Sequence, residues 1–388
     1  MTAARAPQAW RLVAARAAAW ALLLSGWGGI GAFAQVFAPN PSWALAIVAL
    51  WLLMLGLMAA VATHDGLRAP TRRCAVLITA AAAAFALPWS VQGGGVAALL
   101  LAVLGWSALA ALASGVVRSL RWARPLPPGP PIGAACLGAL AAGVALDDLG
   151  DVAALAQRLA IFVAGAALLL AALQPADATR PRPRSCRAGL FDCSLPAWPS
   201  GAWNDLRAWP TMLAGLAMLP AMAALPLMAS LCRAASTPPQ AMVLLHFAAM
   251  FLPALLMRRI FGALRPRLLA GLCAACLAAG AACALWAPQP LDVLGLVVAQ
   301  GAAWGLAWSG QLWSPERRGA AGASPVVAAL GYAALTAAIG VVIDRAGASG
   351  ITGVHAALGA LAAAVWLAGL WRPAHDAAVT PREIPRGL

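Results

Sequence analysis

Long apolar runs alternate with short arginine-bearing gaps from one end of this 388-residue sequence to the other, and that alternation constrains its fold more than anything else. A run of about 20 apolar residues, coiled as a helix, is long enough to cross the hydrocarbon core of a bilayer. Twelve such runs can be placed, at 17–37, 43–63, 74–91, 95–117, 131–148, 154–174, 210–231, 239–257, 268–287, 291–313, 324–343 and 350–371. Pro220, Pro226, Pro253, Gly28 and Gly29 fall inside runs, which membrane helices tolerate. Hydrophobic residues make up 63% of the chain, and no stretch is left over for a separate soluble domain. The expectation is an all-α, polytopic membrane protein of twelve transmembrane helices.

Charge follows topology. The net charge is +14, and the basic residues are all arginine. In membrane proteins Lys and Arg collect in cytoplasmic segments. With the N-terminus inside, every arginine falls on the cytoplasmic side except Arg158, Arg233 and Arg345; Arg5, Arg11 and Arg16 precede the first span. That distribution argues against nucleic acid as a partner. It predicts a multi-pass membrane protein with both termini cytoplasmic. The first span is read as retained, because no small-residue cleavage site follows a short apolar region. The eight cysteines show no disulfide framework. Cys186 and Cys193 fall in a cytoplasmic loop, where thiols stay reduced. Cys273 and Cys276 form a CxxC within an apolar run, where close packing is the plain alternative to redox or metal work.

The longest gap divides the spans six and six. It carries Arg180-Pro181-Arg182-Pro183-Arg184, which cannot continue a helix. The expected organisation is a cytoplasmic N-terminus at 1–16, a six-helix half at 17–174, a basic cytoplasmic linker at 175–209, a second six-helix half at 210–371 and a cytoplasmic tail at 372–388. Repeat-built secondary transporters have this layout. The gap after the second span reads His64-Asp65-Gly66-Leu67-Arg68-Ala69-Pro70-Thr71-Arg72-Arg73, and the equivalent gap after the eighth reads Arg258-Arg259-Ile260-Phe261-Gly262-Ala263-Leu264-Arg265-Pro266-Arg267. Both resemble the basic loop motif of the major facilitator superfamily, although Asp65 is displaced and the second copy has no acid.

Two pairs of soft side chains mark a candidate site. Met218 and Met222 lie in the seventh span, and His246 and Met250 in the eighth. Each pair is spaced i, i+4, so its members share a helix face. Each is centred near the middle of its span, the depth at which transporters bind cargo. Thioethers and a neutral imidazole are soft ligands suited to Cu(I), and they bring no charge into lipid. No acid falls mid-span to build a cage for a hard ion. Packing is the alternative for the methionines; Met54 and Met58 have the same spacing in the second span. In the tenth span Gln300, Trp304 and Trp308 share a face, with Gln311 one turn beyond, either lining a cavity or forming a packing stripe. His355 is expected at a solvated or interfacial helix end.

An MxxxM in the seventh span with an HxxxM in the eighth resembles the CcoA-like copper importers of the major facilitator superfamily. The resemblance implies copper import by alternating access through Met218, Met222, His246 and Met250, in support of cytochrome oxidase assembly. It implies no resident cofactor, with copper as cargo; the partners are the copper ion, the lipid bilayer and cytoplasmic copper-handling proteins. The thiols linked to transport in that family have no residue-by-residue match at Cys232, Cys273 or Cys276. Two other readings stay open: a transporter of a small neutral organic solute using Gln300, Trp304, Trp308 and Gln311, and a non-transporting assembly factor that docks partners through the linker. An enzyme is not expected, since no nucleophile–base pair or phosphate loop is present.

Overall fold

A computed structural model of the protein describes residues 6–38, 40–64, 69–122, 129–146, 151–173, 213–214, 239–256, 266–288, 291–313 and 325–371. Among the described residues there are eleven α-helices and no strand: α1 (Ala6–Phe37), α2 (Pro41–His64), α3 (Ala69–Trp89), α4 (Gly95–Trp122), α5 (Gly129–Ala145), α6 (Val152–Leu173), α7 (Pro239–Leu256), α8 (Pro266–Trp286), α9 (Leu291–Trp313), α10 (Pro325–Ala346) and α11 (Ala348–Trp371). Helices α7 to α11 occupy the expected eighth to twelfth spans. Of the expected seventh, only Leu213 and Ala214 are described. Among the described residues six helices carry a stretch long and apolar enough to cross a membrane, and five carry shorter apolar stretches.

Local chemistry sets several helix ends. Asn40 caps α2: its side-chain oxygen accepts hydrogen bonds from the Trp43 N–H at 3.1 Å and the Ser42 hydroxyl at 3.0 Å. Pro41 follows at the first helical position, where its missing N–H is harmless. Asp151 caps α6 in the same way, accepting from the Ala153 and Ala154 N–H groups at 3.0 and 3.1 Å. The short connection between α3 and α4 turns at Gly93 and Gly95, with φ of 110° and 57°, a left-handed backbone that side chains disfavour.

Two details differ from the sequence expectation. Helix α1 starts at Ala6, well before position 17, so Arg11 and Arg16 lie inside it. The apolar stretch runs Trp10–Gly31. Arginine is a good helix former, so it does not end the helix that the apolar run begins. Trp10 and Arg11 are still exposed, whereas Arg16 is only 4% exposed because α4, α5 and α6 enclose α1. His355 is likewise buried on α11 rather than solvated.

The first six helices pack around α1, which touches α2, α4, α5 and α6. In the second group α9 packs on α7 and α8, and α11 packs on α8 and α10. The groups meet along α2 with α10 and along α5 with α7. These are spans 2 with 11 and 5 with 8, so exchanging the halves turns one seam into the other, as two repeats about a pseudo-two-fold axis require. Each seam closes on a glycine. A Cβ on Gly340 of α10 would lie 3.0 Å from the Ser42 Cα and 3.1 Å from the Leu45 Cβ of α2. One on Gly143 of α5 would lie 2.5 Å from a Leu244 methyl of α7. Both glycines sit near the helix ends remote from the arginine-rich gaps. There the Asp344 carboxylate of α10 also accepts a hydrogen bond from the Ser42 N–H at 3.1 Å, placing a negative charge at the positive end of α2.

Removing that carboxylate with Asp344→Ala should loosen this face. Thiol labelling of a cysteine placed at Ser42 should become faster, and thermal stability should fall by about 1 kcal/mol, the scale of one helix-end interaction. Gly340→Leu should have the larger effect on labelling, because its side chain meets backbone.

Candidate functional site

His246 is brought to α9 by a glycine pair. A Cβ on Gly301 would stand 2.7 Å from the His246 carbonyl oxygen, and one on Gly305 would press into the Met250 carbonyl group. The i, i+4 glycines of α9 therefore receive the i, i+4 residues His246 and Met250 of α7. Small residues at such spacing let membrane helices approach backbone to backbone. At that separation the His246 ring reaches the neighbouring helix: its Nδ1 lies 2.9 Å from the Val297 carbonyl oxygen.

That contact fixes the ring's chemistry. A carbonyl can only accept, so Nδ1 carries the hydrogen and donates it. In the neutral ring the lone pair is then on Nε2. His246 is fully buried, and Nε2 has no hydrogen-bond partner among the described residues. Metal-bound histidines are held in the same way, one ring nitrogen tied to a carbonyl or carboxylate and the other left to the metal. Met250, one turn further along α7, is 1% exposed. The structure thus places two of the four expected soft ligands together at one helix crossing. The other two, Met218 and Met222, lie outside the described residues. Among the described residues no three His, Cys, Asp or Glu side chains gather into a metal site.

The tenth-span stripe divides. Trp304 is buried and packs edge-on against Phe251 of α7, ring centroids 5.8 Å apart, and Phe251 packs against Trp20 of α1 at 5.6 Å. Trp304 is therefore part of an aromatic stack that joins the two halves. Gln300 is 3% exposed, and its amide nitrogen has no partner among the described residues. The side chains of Trp308 and Gln311 lie outside the described residues. Cys273 is buried with its thiol 3.5 Å from the Ala303 carbonyl, a contact between α8 and α9 that suits packing; Cys232 lies outside the described residues. Met58, at the second-span copy of the spacing, is exposed at 36%.

Sequence reading did not single out Gly301, Gly305, Val297, Phe251 or Trp20. The i, i+4 spacing of the two glycines is local information, of the kind that lets membrane helices approach closely. The carbonyl of Val297 and the aromatic contacts depend on register between helices, which no local pattern states. Gly305→Leu should push α7 off α9, and the loss should exceed the roughly 1–3 kcal/mol of ordinary overpacking because the clash is with backbone. Gly301→Ala should be milder. Thermal unfolding of the purified protein checks the order.

The sequence matches no protein-family profile and no curated protein. The fold does have solved relatives. A transporter of the POT family, in complex with a thioalcohol-conjugated peptide, is similar at a TM-score of 0.62 with 12% identity, over 92% of this chain and 94% of that one. A D-xylose–proton symporter is similar at 0.59 with 13% identity, over 92% and 96%. The nucleoside transporter NupG is similar at 0.54 with 14% identity, over 94% and 98%. These are transporters rather than enzymes, and they share the twelve-helix major facilitator architecture. The chain is a multi-pass, all-helical membrane protein with the major facilitator fold.

Proposed function

We propose that the protein is a secondary transporter that imports copper into the cytoplasm of a bacterium by alternating access. His246 and Met250 supply two of the ligands, and Met218 and Met222 of the seventh span supply the others. The observation that carries this reading is the orientation of His246, whose Nδ1–H is spent on the Val297 carbonyl and whose Nε2 is left with no partner. A buried polar atom without a partner is costly in a membrane bundle, and a metal ion removes that cost. Neutral ligands hold Cu(I) without adding charge to the site, which favours release as well as capture. In this reading the protein sits in the inner membrane with both termini cytoplasmic, the linker at 175–209 joins halves at 17–174 and 210–371, and the copper serves cytochrome oxidase assembly through cytoplasmic copper-handling proteins.

A second reading is a transporter of a small neutral organic solute, contacted by Gln300, Trp304, Trp308 and Gln311. It is favoured by the unpartnered Gln300 amide nitrogen, and by a xylose symporter and a nucleoside transporter being among the similar structures.

Uptake of radioactive copper by cells lacking their own importer separates the two. His246→Ala should reduce uptake to background. Met250→Leu, which preserves volume, should lower it roughly ten-fold, equivalent to about 1.4 kcal/mol. Uptake unchanged in both variants would rule out copper at this site.

A further inference from the structure

Helix α7 touches the opposite half at two levels. The first contact is with α5: a Cβ on Gly143 would fall 2.5 Å from a Leu244 methyl and 3.7 Å from the Phe247 ring. Leu244 and Phe247 bracket His246 in the chain, so this contact is level with the imidazole. The second is with α1: Phe251 meets Trp20 edge to face, with ring centroids 5.6 Å apart and planes at 73°. Phe251 is five residues beyond His246, about 7.5 Å at 1.5 Å per residue, toward the end of α7 that leads into Arg258 and Arg259. On its own half Phe251 also packs against Trp304 of α9, with centroids 5.8 Å apart and planes at 82°. All three rings are buried, and so is His246.

The two ring contacts of Phe251 differ in what they join. Phe251 and Trp304 belong to one unit, because Gly301 and Gly305 seat α7 on α9 and the His246 ring is bound to the Val297 carbonyl. Trp20 belongs to the other half. When the halves move, Phe251 and Trp304 travel together, and the contact with Trp20 is the one that parts. That contact is ring on ring. Its attraction is directional but modest, and parting it breaks no hydrogen bond between the two side chains. The arginine-poor side is tied differently, with the Asp344 carboxylate accepting from the Ser42 N–H across the α2–α10 seam.

We propose that Trp20 and Phe251 form the inner gate of the transporter, the pair of rings that closes His246 off from the arginine-rich face and separates to let cargo leave. This rests on the transport reading above but not on the identity of the cargo. Parting Leu244 and Phe247 from α5 opens His246 toward the arginine-poor face while the rings stay together. Parting Phe251 from Trp20 opens it toward the arginine-rich face, which is the cytoplasmic one in that reading. Met250 is the neighbour of Phe251 in the chain, so a cargo that steps from His246 to Met250 arrives at the level of the gate.

Thiol accessibility tests the gate without any cargo. In the full-length protein with its native cysteines replaced, His246→Cys is reacted with a membrane-impermeant thiosulfonate in vesicles of either sidedness. Adding Phe251→Ala or Trp20→Ala should speed labelling from the arginine-rich face roughly ten-fold, with no rise from the opposite face. Leu244→Ala should do the reverse. Trp304→Leu, which loosens the stack within one half only, should raise neither rate. Trp20→Phe keeps a smaller ring and should give a smaller rise in the same direction; it decides should the alanine variants fail to fold. Labelling unchanged in the Trp20 and Phe251 variants, or raised from both faces alike, overturns the gate. Radioactive copper uptake, measured with His246 intact, keeps the two ideas apart. One-sided labelling without wild-type copper uptake upholds the gate and overturns copper, and copper uptake with unchanged labelling overturns the gate alone.

Discussion

Lipid tails are as apolar as leucine, so burying a leucine between two membrane helices gains little over leaving it in lipid; close packing must hold such helices together. This bundle does so at glycines. Gly138 of α5 admits the backbone of α1, so that a Cβ there would fall 2.6 Å from the Ala17 carbonyl and 2.5 Å from the Trp20 Cβ. Gly359 of α11 does the same against the Leu277 carbonyl of α8, at 2.6 Å. Gly301 and Gly305 seat α7 on α9, and Gly143 and Gly340 close the two seams between halves. The candidate site inherits this constraint. The His246 ring reaches the Val297 carbonyl only because position 301 has no side chain to hold the helices apart.

The other side of the same constraint is that buried polar groups have no water to fall back on. Among the described residues the buried serine and threonine hydroxyls answer this locally. Ser25, Thr79, Ser90, Ser107 and Thr336 all donate to a carbonyl three or four residues earlier on their own helix, a bond available to short hydroxyl side chains. A histidine, a glutamine amide and an indole are too long or too rigid for that bond and must look to another helix or to a ligand. His246 does the first through Nδ1, which meets the neighbouring helix, and its Nε2 has no partner among the described residues. The contrast separates the short hydroxyls, which the helix itself satisfies, from the longer polar side chains, which it does not.

The helical class and the number of spans were legible because hydropathy is summed over some twenty residues, and errors at single positions cancel. The limits of α1 were not: Arg11 and Arg16 end an apolar run without ending a helix, and only the surrounding α4, α5 and α6 show that Arg16 is enclosed. Of the site, His246 and Met250 were legible as residue types on one face, since an i, i+4 spacing is local information. Their convergence on α9 was half legible. The glycine spacing at 301 and 305 was in the sequence, but nothing local pairs it with His246 rather than with any other helix face. The aromatic bridge from Trp20 through Phe251 to Trp304 spans residues far apart in the chain, and its register is set by packing alone.

Helix α7 links the site to the seam between the halves through adjacent residues. His246 turns toward α9, whereas Phe247 and Leu244 turn toward Gly143 of α5. The two attachments are unequal. Against α9 the helix is fastened at two glycines and by the His246 ring, so α7 and α9 form one unit. Against α5 it rests on Gly143 through two apolar side chains, a contact that can part without leaving a buried polar group unpaired. Relative motion of the halves should therefore break at α5–α7 and keep α7–α9 intact. His246 and Gln300 would travel together, and Trp106 would stay with α1 and α4.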